Sequence, residues 1–276
     1  VMEIIELLKV IIVSAIEGIT EWLPVSSTGH MLLFDHFAKL SFSKDFKDLF
    51  MVVIQLGAIM AIVFIYWSRL NPLDRHKNSR EKHETIELWK KIIIGAIPAG
   101  VVGLLFNNFI EKHFENMWVI ASMLAIYGAL FIVIERYRTI HRISPRVEKF
   151  EDMTYKDAAK IGAYQMLALI PGTSRSGSTI VGGLLTGVSR KIAVEFSFFM
   201  GIPIMLGSSA LKIVKYGFKY SSSEIMYLTV ALVATFIVSM IVVRFLIDYL
   251  KKHDFQLFGW YRIILALVMI CCFMIK

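Results

Sequence analysis

Long apolar runs, separated by short charged segments, dominate the chain. A helix needs about 20 predominantly apolar residues to cross a bilayer, and six runs approach or meet that length. The predicted spans are 50–67, 92–110, 117–135, 192–214, 225–247 and 257–275. The sequence therefore predicts an all-α polytopic membrane protein.

Two further pairs of helices are each interrupted by proline, and one member of each pair is too short to span. The first pair covers 3–22 and 27–39 around Pro24, and the second covers 158–170 and 176–187 around Pro171-Gly172. Proline cannot continue a helix without losing a hydrogen bond. Irregular backbone at membrane depth is tolerated where it lines a cavity, so both pairs are predicted to be re-entrant hairpins, at about 3–39 and 158–187.

The order of these elements predicts an inverted repeat within one membrane domain, 1–276. Residues 1–137 and 148–276 each contain a hairpin followed by three spans, and an odd number of spans inverts the second half. The spacing of Glu17, Ser26 and Gly29 equals that of Gln165, Ser174 and Gly177. The alternative is a coincidence of polar residues in two hairpins.

Basic residues predict the orientation. Cytoplasmic loops of membrane proteins are rich in Lys and Arg, and the basic segments here are 68–91, 136–160, 188–191 and 248–257. Placing them inside puts both termini outside and opens the first hairpin to the outer face. The net charge of +8 then reflects these loops, and no nucleic-acid partner is expected.

Neither end of the chain predicts further chemistry. Cys271 and Cys272 are adjacent in an apolar run, so neither a disulfide nor a cysteine metal site is expected. The N-terminal segment carries Glu3 and Glu6 rather than a basic region, so no cleaved signal peptide is expected.

The first proline break is surrounded by ionisable and hydroxyl side chains. Glu17 and Glu21 are four residues apart, which places both on one face of a helix. Charged groups at membrane depth are costly and mark functional sites. The pair is predicted to hold a hard divalent cation, such as magnesium, or to act as base and acid. The alternative is that they face water at a helix end or form ion pairs.

The hydroxyls after Pro24 supply candidate nucleophiles. Ser27 is the first candidate and Ser26 the second, with Thr28 beside them. Serine needs a general base, and either His30 or Glu21 can serve. Attack by His30 itself is a variant, and His30 as a satisfied interior histidine is the alternative.

The second proline break predicts an anion site. A helix is predicted to begin just after it, with unpaired N–H groups at its N-terminus. Arg175 adds a guanidinium fork suited to phosphate oxygens. The alternative is that a carboxylate such as Glu21 neutralises Arg175, which is compatible with a site. Gln55, inside the first span, either faces the cavity that the two proline breaks line or bonds to a neighbouring helix.

Two motifs carry a resemblance to a known family. They read Glu17-Gly-Ile-Thr-Glu21-Trp-Leu-Pro-Val-Ser-Ser-Thr-Gly-His30 and Pro171-Gly-Thr-Ser-Arg-Ser-Gly177. They closely resemble the signature motifs of the bacterial undecaprenyl-diphosphate phosphatase family, also known for bacitracin resistance. The resemblance extends to Val53-Ile54-Gln55-Leu56-Gly57, Asp152-Met153-Thr154-Tyr155 and Glu195-Phe196-Ser197-Phe198.

The resemblance implies a hydrolase that removes the terminal phosphate of undecaprenyl diphosphate and so recycles the lipid carrier for peptidoglycan synthesis. It implies a multi-pass protein of the bacterial inner membrane, dependent on a divalent cation (magnesium or calcium) and dimeric. The orientation of the first hairpin then opens the site to the periplasm. The expected catalytic residues are Glu21, Ser27, His30 and Arg175. The expected substrate-binding residues are Ser26, Thr28, Gln55, Thr173, Ser174, Ser176 and Gly177, and the expected metal ligands are Glu17 and Glu21.

The competing hypothesis is a transporter. Inverted repeats with broken helices are also the architecture of secondary transporters, so translocation of a lipid-linked or anionic substrate, by a transporter or flippase, is the alternative. A transporter needs the binding groups but no nucleophile.

Overall fold

The computed structural model describes residues 2–217 and 219–274. In these ranges the secondary structure is helical, apart from an isolated β-bridge between Val147 and Val188. The helices are α1 Met2–Thr20, α2 Ser27–Phe37, α3 Lys44–Val53, α4 Gln55–Ile65, α5 Trp67–Leu70, α6 Ser79–Phe114, α7 Met117–Ile140, α8 Tyr155–Leu167, α9 Arg175–Leu185, α10 Arg190–Tyr216, α11 Ser222–Tyr249 and α12 Gln256–Met274. The all-α prediction is confirmed.

Six helical segments are long and apolar enough to cross a membrane. They are α3 with α4 (Lys44–Ile65), α6, α7, α10, α11 and α12. Each predicted span lies within or largely overlaps one of them. The protein is thus a multi-pass membrane protein with six candidate spans in the described chain.

Helix α6 is longer than predicted, because it continues through polar sequence at both ends. It has 36 residues, so the charged segment 68–91 is helical from Ser79 onward. At its start the Asn78 side chain accepts from the backbone N–H of Glu81, whose carboxylate accepts from the N–H of Asn78. This capping box begins the helix well outside the apolar run.

The polar residues 107–113 predict a short turn between the spans 92–110 and 117–135, and this prediction is wrong. Residues 107–113 belong to the last turns of α6, where the Asn107 amide donates to the Glu111 carboxylate at 2.8 Å. Side chains four residues apart stabilise a helix in this way. The turn lies instead at Glu115 and Asn116, and Asn116 caps α7 by accepting from the N–H of Val119.

The first span begins earlier than the predicted residue 50. Helix α3 starts at Lys44, where the Ser43 hydroxyl accepts from the N–H of Phe46. Helix α4 follows after a local irregularity at Ile54. The first residue of α4 is therefore Gln55, at a discontinuity in the middle of the span.

Both predicted hairpins are present, and their second helices begin alike. Helices α1 and α2 flank the Pro24 break, and α8 and α9 flank the Pro171 break. The residues that precede α2 and α9 are Ser26 and Ser174, and each has a φ of 73°. This left-handed conformation is unusual for serine and is often a feature of functional sites.

The packing of the helices also corresponds between the two halves. Helix α1, of the first half, packs against α11, the second span of the second half, and α8, of the second half, packs against α6, the second span of the first half. The third spans, α7 and α12, pack against each other. The repeat of 1–137 and 148–276 and its inversion stay predictions.

Candidate active site

The two proline breaks are in direct contact, as the repeat predicts. The Ser176 hydroxyl, in the first turn of α9, lies 3.2 Å from the carbonyl oxygen of Glu21 and 3.4 Å from that of Leu23. The ring of Trp22 packs edge-on against Phe198 of α10, with centroids 5.0 Å apart. The second hairpin and α10 therefore fix the first break in place.

An ion pair joins the two hairpins at this point. Arg175 donates to Glu21 Oε1 from Nε at 3.2 Å and from Nη2 at 3.1 Å. Its Nη1 donates to the carbonyl oxygen of Ser197 at 2.6 Å, and its guanidinium lies 5.5 Å from the centroid of the Trp22 ring. The Glu21 and Arg175 side chains are only 7% and 11% exposed. The ion pair between Arg175 and Glu21, which the sequence offered as an alternative, is thus formed.

Glu21 also contacts the candidate nucleophile. The Ser27 hydroxyl donates to Glu21 Oε2 at 3.3 Å, so the two carboxylate oxygens are engaged by different partners. A base within hydrogen-bond reach of a serine can accept its proton, and such bonds are often long before substrate binds. Glu21 therefore connects a hydroxyl of one hairpin to the guanidinium of the other.

His30 is held by groups other than Ser27. Its Nδ1 lies 2.7 Å from the carbonyl oxygen of Ser26, and its Nε2 lies 2.7 Å from the Tyr261 hydroxyl. The two rings stack with centroids 5.6 Å apart. Because a carbonyl accepts only, a neutral His30 carries its proton on Nδ1 and accepts from Tyr261 at Nε2. The structure pairs Ser27 with Glu21, the other base considered.

Several buried oxygens near the break lack hydrogen-bond partners among the described residues. They are Glu17 Oε1, Ser26 Oγ and Thr173 Oγ1. Buried polar groups are normally satisfied, so each unsatisfied one calls for an explanation. Glu17 is 2% exposed, lies one helical turn before Glu21 and is adjacent to the Gln55 side chain. A hard cation or a water molecule is the kind of partner that such oxygens accept.

The first turn of α9 provides donors for an anion. The Ser174 hydroxyl accepts from the N–H of Gly177 at 3.2 Å and lies 3.2 Å from the Ser176 hydroxyl. Gly172, in the preceding turn, has a φ of 90°, and a Cβ there would lie 2.5 Å from the carbonyl oxygen of Ile120. Only glycine fits this turn, which directs the chain into α9 with its N-terminus toward the other break.

The remaining predicted residues have different surroundings. Thr28 is exposed in the first turn of α2. Glu195, part of the family resemblance, is buried and accepts from Arg69 at 2.6 Å. In the described part of the chain, no group of three or more acidic, histidine or cysteine side chains is arranged to hold a metal. Glu17 and Glu21 are thus a two-carboxylate site at most.

Two adjacent residues of α12 belong to the site although neither motif contains them. Tyr261 contacts His30, and Arg262 donates hydrogen bonds to carbonyl oxygens of both breaks. The run 257–275 was interpreted only as a span. An arginine inside such a run is itself a functional-site signal.

Two surface cavities of the described chain lie away from the breaks. One is lined by Arg146, Lys156, Asp157 and Lys160, near the far end of the α8–α9 hairpin, and the other by arginines at the end of α7. The meeting point of the breaks is recognised instead by its side-chain chemistry.

A family model described as bacitracin resistance protein BacA matches residues 10–268. The chain belongs to the BacA family. The matched range includes both proline breaks and Arg262 of α12, so every contact described above lies within it.

Curated BacA relatives match over nearly the whole chain. A protein named undecaprenyl-diphosphatase from Desulfitobacterium hafniense is 52% identical over 99% of this chain and 98% of its own length. One of the same name from Enterococcus faecalis is 51% identical, covering 95% of both chains. Undecaprenyl-diphosphatase 1 of Clostridioides difficile is 50% identical over 98% of this chain and 97% of its own.

Proposed function

We propose that this protein hydrolyses undecaprenyl diphosphate to undecaprenyl phosphate and inorganic phosphate. The names of its relatives support this activity, which returns the lipid carrier to peptidoglycan synthesis and accounts for bacitracin resistance. The observation that carries the proposal is the position of Glu21, whose carboxylate accepts from Ser27 on one side and from Arg175 on the other.

The diphosphate binds at the first turn of α9. The Arg175 fork and the α9 N-terminus supply positive potential, and the Ser174 hydroxyl supplies a donor. Ser176 supplies a second donor once its hydroxyl turns from the Glu21 carbonyl to the substrate. Thr173, Ser26, Thr28, Gln55 and Gly177 surround this position in our proposal. In the free protein Glu21 neutralises Arg175, so the substrate must compete with this carboxylate.

Ser27 is the proposed nucleophile. Its Oγ bonds to the terminal phosphorus as the bond to the bridging oxygen breaks, undecaprenyl phosphate leaves, and the Ser27 proton passes to Glu21. Water then attacks the phosphoserine, inorganic phosphate is released, and Glu21 returns the proton to Ser27. Phosphoryl transfer depends mainly on positioning and charge neutralisation, which these groups provide.

His30 is the alternative nucleophile or base. Its Nε2 is occupied by the Tyr261 hydroxyl, so this hydroxyl would have to move before His30 could attack phosphorus. The contact of Nδ1 with the Ser26 carbonyl gives His30 a second role, in which it holds the backbone beside Ser27.

The residues present fit a divalent cation. Glu17 and Glu21 supply two carboxylates, and magnesium is typically bound by one or two carboxylates together with substrate phosphates. Glu17 Oε1 is buried without a partner among the described residues, which a bound cation would remedy. Magnesium or calcium there would neutralise charge on the diphosphate.

We place the reaction at the periplasmic side of the bacterial inner membrane, with both termini outside. The distribution of basic loops supports this orientation. The prenyl tail would lie among the apolar spans. A homodimer stays an expectation from the family resemblance.

The decisive experiment compares Ser27→Ala with Ser208→Ala in the purified protein. Ser208 is a matched control, since among the described residues its hydroxyl donates to the carbonyl of Met205 within the same helix, α10. With undecaprenyl diphosphate and magnesium, we expect phosphate release to fall by about 10³-fold or more in Ser27→Ala. It should be unchanged in Ser208→Ala.

Trapping completes this test. After brief reaction with substrate labelled at the terminal phosphate, acid quenching should leave label on the wild-type chain and none on Ser27→Ala. Phosphate release that survives in Ser27→Ala would exclude the serine mechanism. Absence of phosphate release in the wild type, with lipid moving across vesicles, would favour the transporter.

A further inference from the structure

Arg262 of α12 is a completely buried arginine that lies between the two breaks. It is 0% exposed, and no carboxylate among the described residues pairs with it. An uncompensated buried charge is very costly, so its hydrogen bonds must be both numerous and well placed.

Those bonds go to backbone carbonyls of three segments. Nη1 donates to the carbonyl of Pro24 at 3.1 Å, and Nη2 donates to those of Gly172 and Thr173 at 2.9 Å each. Longer contacts of 3.4 Å reach the carbonyls of Met123 and Leu124 in α7. The shortest bonds thus go to the proline breaks of both hairpins.

The chemistry of a broken helix explains why these carbonyls need a donor. Helix ends leave carbonyls without intrahelical partners, and hydrocarbon offers none. A guanidinium has five N–H donors in a rigid plane, so it can satisfy carbonyls of two chain segments at once. An ammonium or a neutral side chain cannot reproduce that arrangement.

Arg262 also lies directly behind the proposed phosphate site. A Cβ at Gly177 would lie 3.1 Å from its Nη1, so the guanidinium packs against the first turn of α9. The proposed nucleophile Ser27 lies three residues after Pro24 in the first break. The anion-binding turn of α9 follows the second break. Their separation therefore depends on the bonds that Arg262 makes.

We propose that Arg262 is a positioning residue that holds the two breaks at the separation required for attack by Ser27 on a diphosphate bound at α9. This inference rests on the proposed phosphatase function. Because the anion-binding groups lie within α9, loosening this link affects the chemical step more than substrate binding. Displacing reacting groups by about 1 Å can cost about 100-fold in rate.

The kinetic test compares Arg262→Met and Arg262→Lys with Arg138→Met. Arg138 is a matched control: it is also buried and donates to a backbone carbonyl, that of Leu184 at the far end of α9. We expect kcat to fall about 100-fold in Arg262→Met, with KM changed less than about threefold, and about tenfold in Arg262→Lys. Arg138→Met should keep the wild-type kcat.

Hydrogen–deuterium exchange gives a readout independent of catalysis. Amides in 22–27 and 171–177 should exchange faster in both Arg262 variants than in Arg138→Met, while α11 stays unchanged. Arg262→Lys covers the case in which Arg262→Met fails to fold. If the wild type releases no phosphate, the proposed function fails, and exchange alone decides whether Arg262 links the breaks.

Three results would overturn the proposal. The first is a wild-type kcat in Arg262→Met, and the second is a wild-type kcat in Arg262→Lys, which would show that charge alone suffices. The third is a rise in KM with kcat retained, which would indicate a direct contact with substrate.

Discussion

Glu21 contacts both hairpins of the candidate site. Its carboxylate accepts from Arg175 and from Ser27, and its backbone carbonyl accepts from Ser176. The meeting of these residues was predictable, because each stands beside a proline break where an unpaired charge is costly. Their individual hydrogen bonds were not, since spacing alone does not distinguish His30 from Glu21 as partner of Ser27.

Glu17 provides the residue-scale test of the cation. Glu17→Gln preserves shape and removes one negative charge, so we expect the magnesium concentration for half-maximal phosphate release to rise about tenfold or more. The measurement is a magnesium titration of purified protein after treatment with EDTA. Glu3→Gln, an exposed change in the same helix, should match the wild type. An unchanged titration for Glu17→Gln would contradict the assignment of Glu17 as a ligand.

Arg262 and Tyr261 show where residue-scale prediction failed. The apolar composition of 257–275 predicts a membrane span, and one arginine within the run does not change that prediction. The partners of Arg262 are backbone carbonyls up to 238 residues away in sequence. Backbone carbonyls are common to every sequence, so the motifs alone could not identify these partners.

At the scale of elements, composition predicted the apolar middle of each helix and not its ends. Helix α6 extends into charged sequence because of its capping box and because Arg80 pairs with Glu84 one turn on. The spacing of these charges was visible in the sequence and is typical of an exposed helical face. A search for apolar spans does not detect it.

Close packing of α7 against α12 sets the position of Arg262. A Cβ at Gly259 would lie 2.7 Å from the carbonyl oxygen of Gly128, and the reverse distance is the same. The backbones of the two helices therefore approach closely, three residues from Arg262. Only glycine permits this approach, because any side chain would have to push the helices apart.

Gly259→Ala tests this packing. We expect unfolding to be easier by about 1–3 kcal/mol, through overpacking against backbone. The rate of phosphate release should also fall as α12 moves. The measurements are a thermal melt in detergent and the phosphatase assay.

Gly207→Ala is the control for this change. Gly207 lies in α10, and a Cβ there would meet nothing within 4 Å. Alanine should stabilise this helix by about 0.5–1 kcal/mol. Equal melting temperatures for the two variants would show that the α7–α12 approach tolerates a methyl group.

At the scale of the whole molecule, each half of the chain supplies part of the site. Glu21 and Ser27 come from the first half, and Arg175, Tyr261 and Arg262 come from the second. The count of six spans followed from apolar length. The way the halves pack could be anticipated only from the two breaks, since lipid-facing sequence contains little information about neighbours.

The predicted orientation can be tested on α7. Glu115 is exposed just before α7, and Glu148 is exposed in the segment that follows its other end and leads to α8. The 24 helical residues between them span about 36 Å. In a variant with Cys271 and Cys272 replaced by serine, a membrane-impermeant maleimide added to intact cells should label Glu115→Cys and not Glu148→Cys. Permeabilised cells should label both. The reverse pattern would place the basic segment 136–160 outside and overturn the proposed topology.

The Glu21–Arg175 ion pair has implications for the chemistry of inhibitors. A phosphonate alone would have to separate this pair and leave a buried carboxylate without its counter-charge. A compound that carries an amidinium beside the phosphonate would offer each partner a replacement. Zwitterionic head groups on a short prenyl-like tail should therefore bind more tightly than purely anionic analogues of equal length.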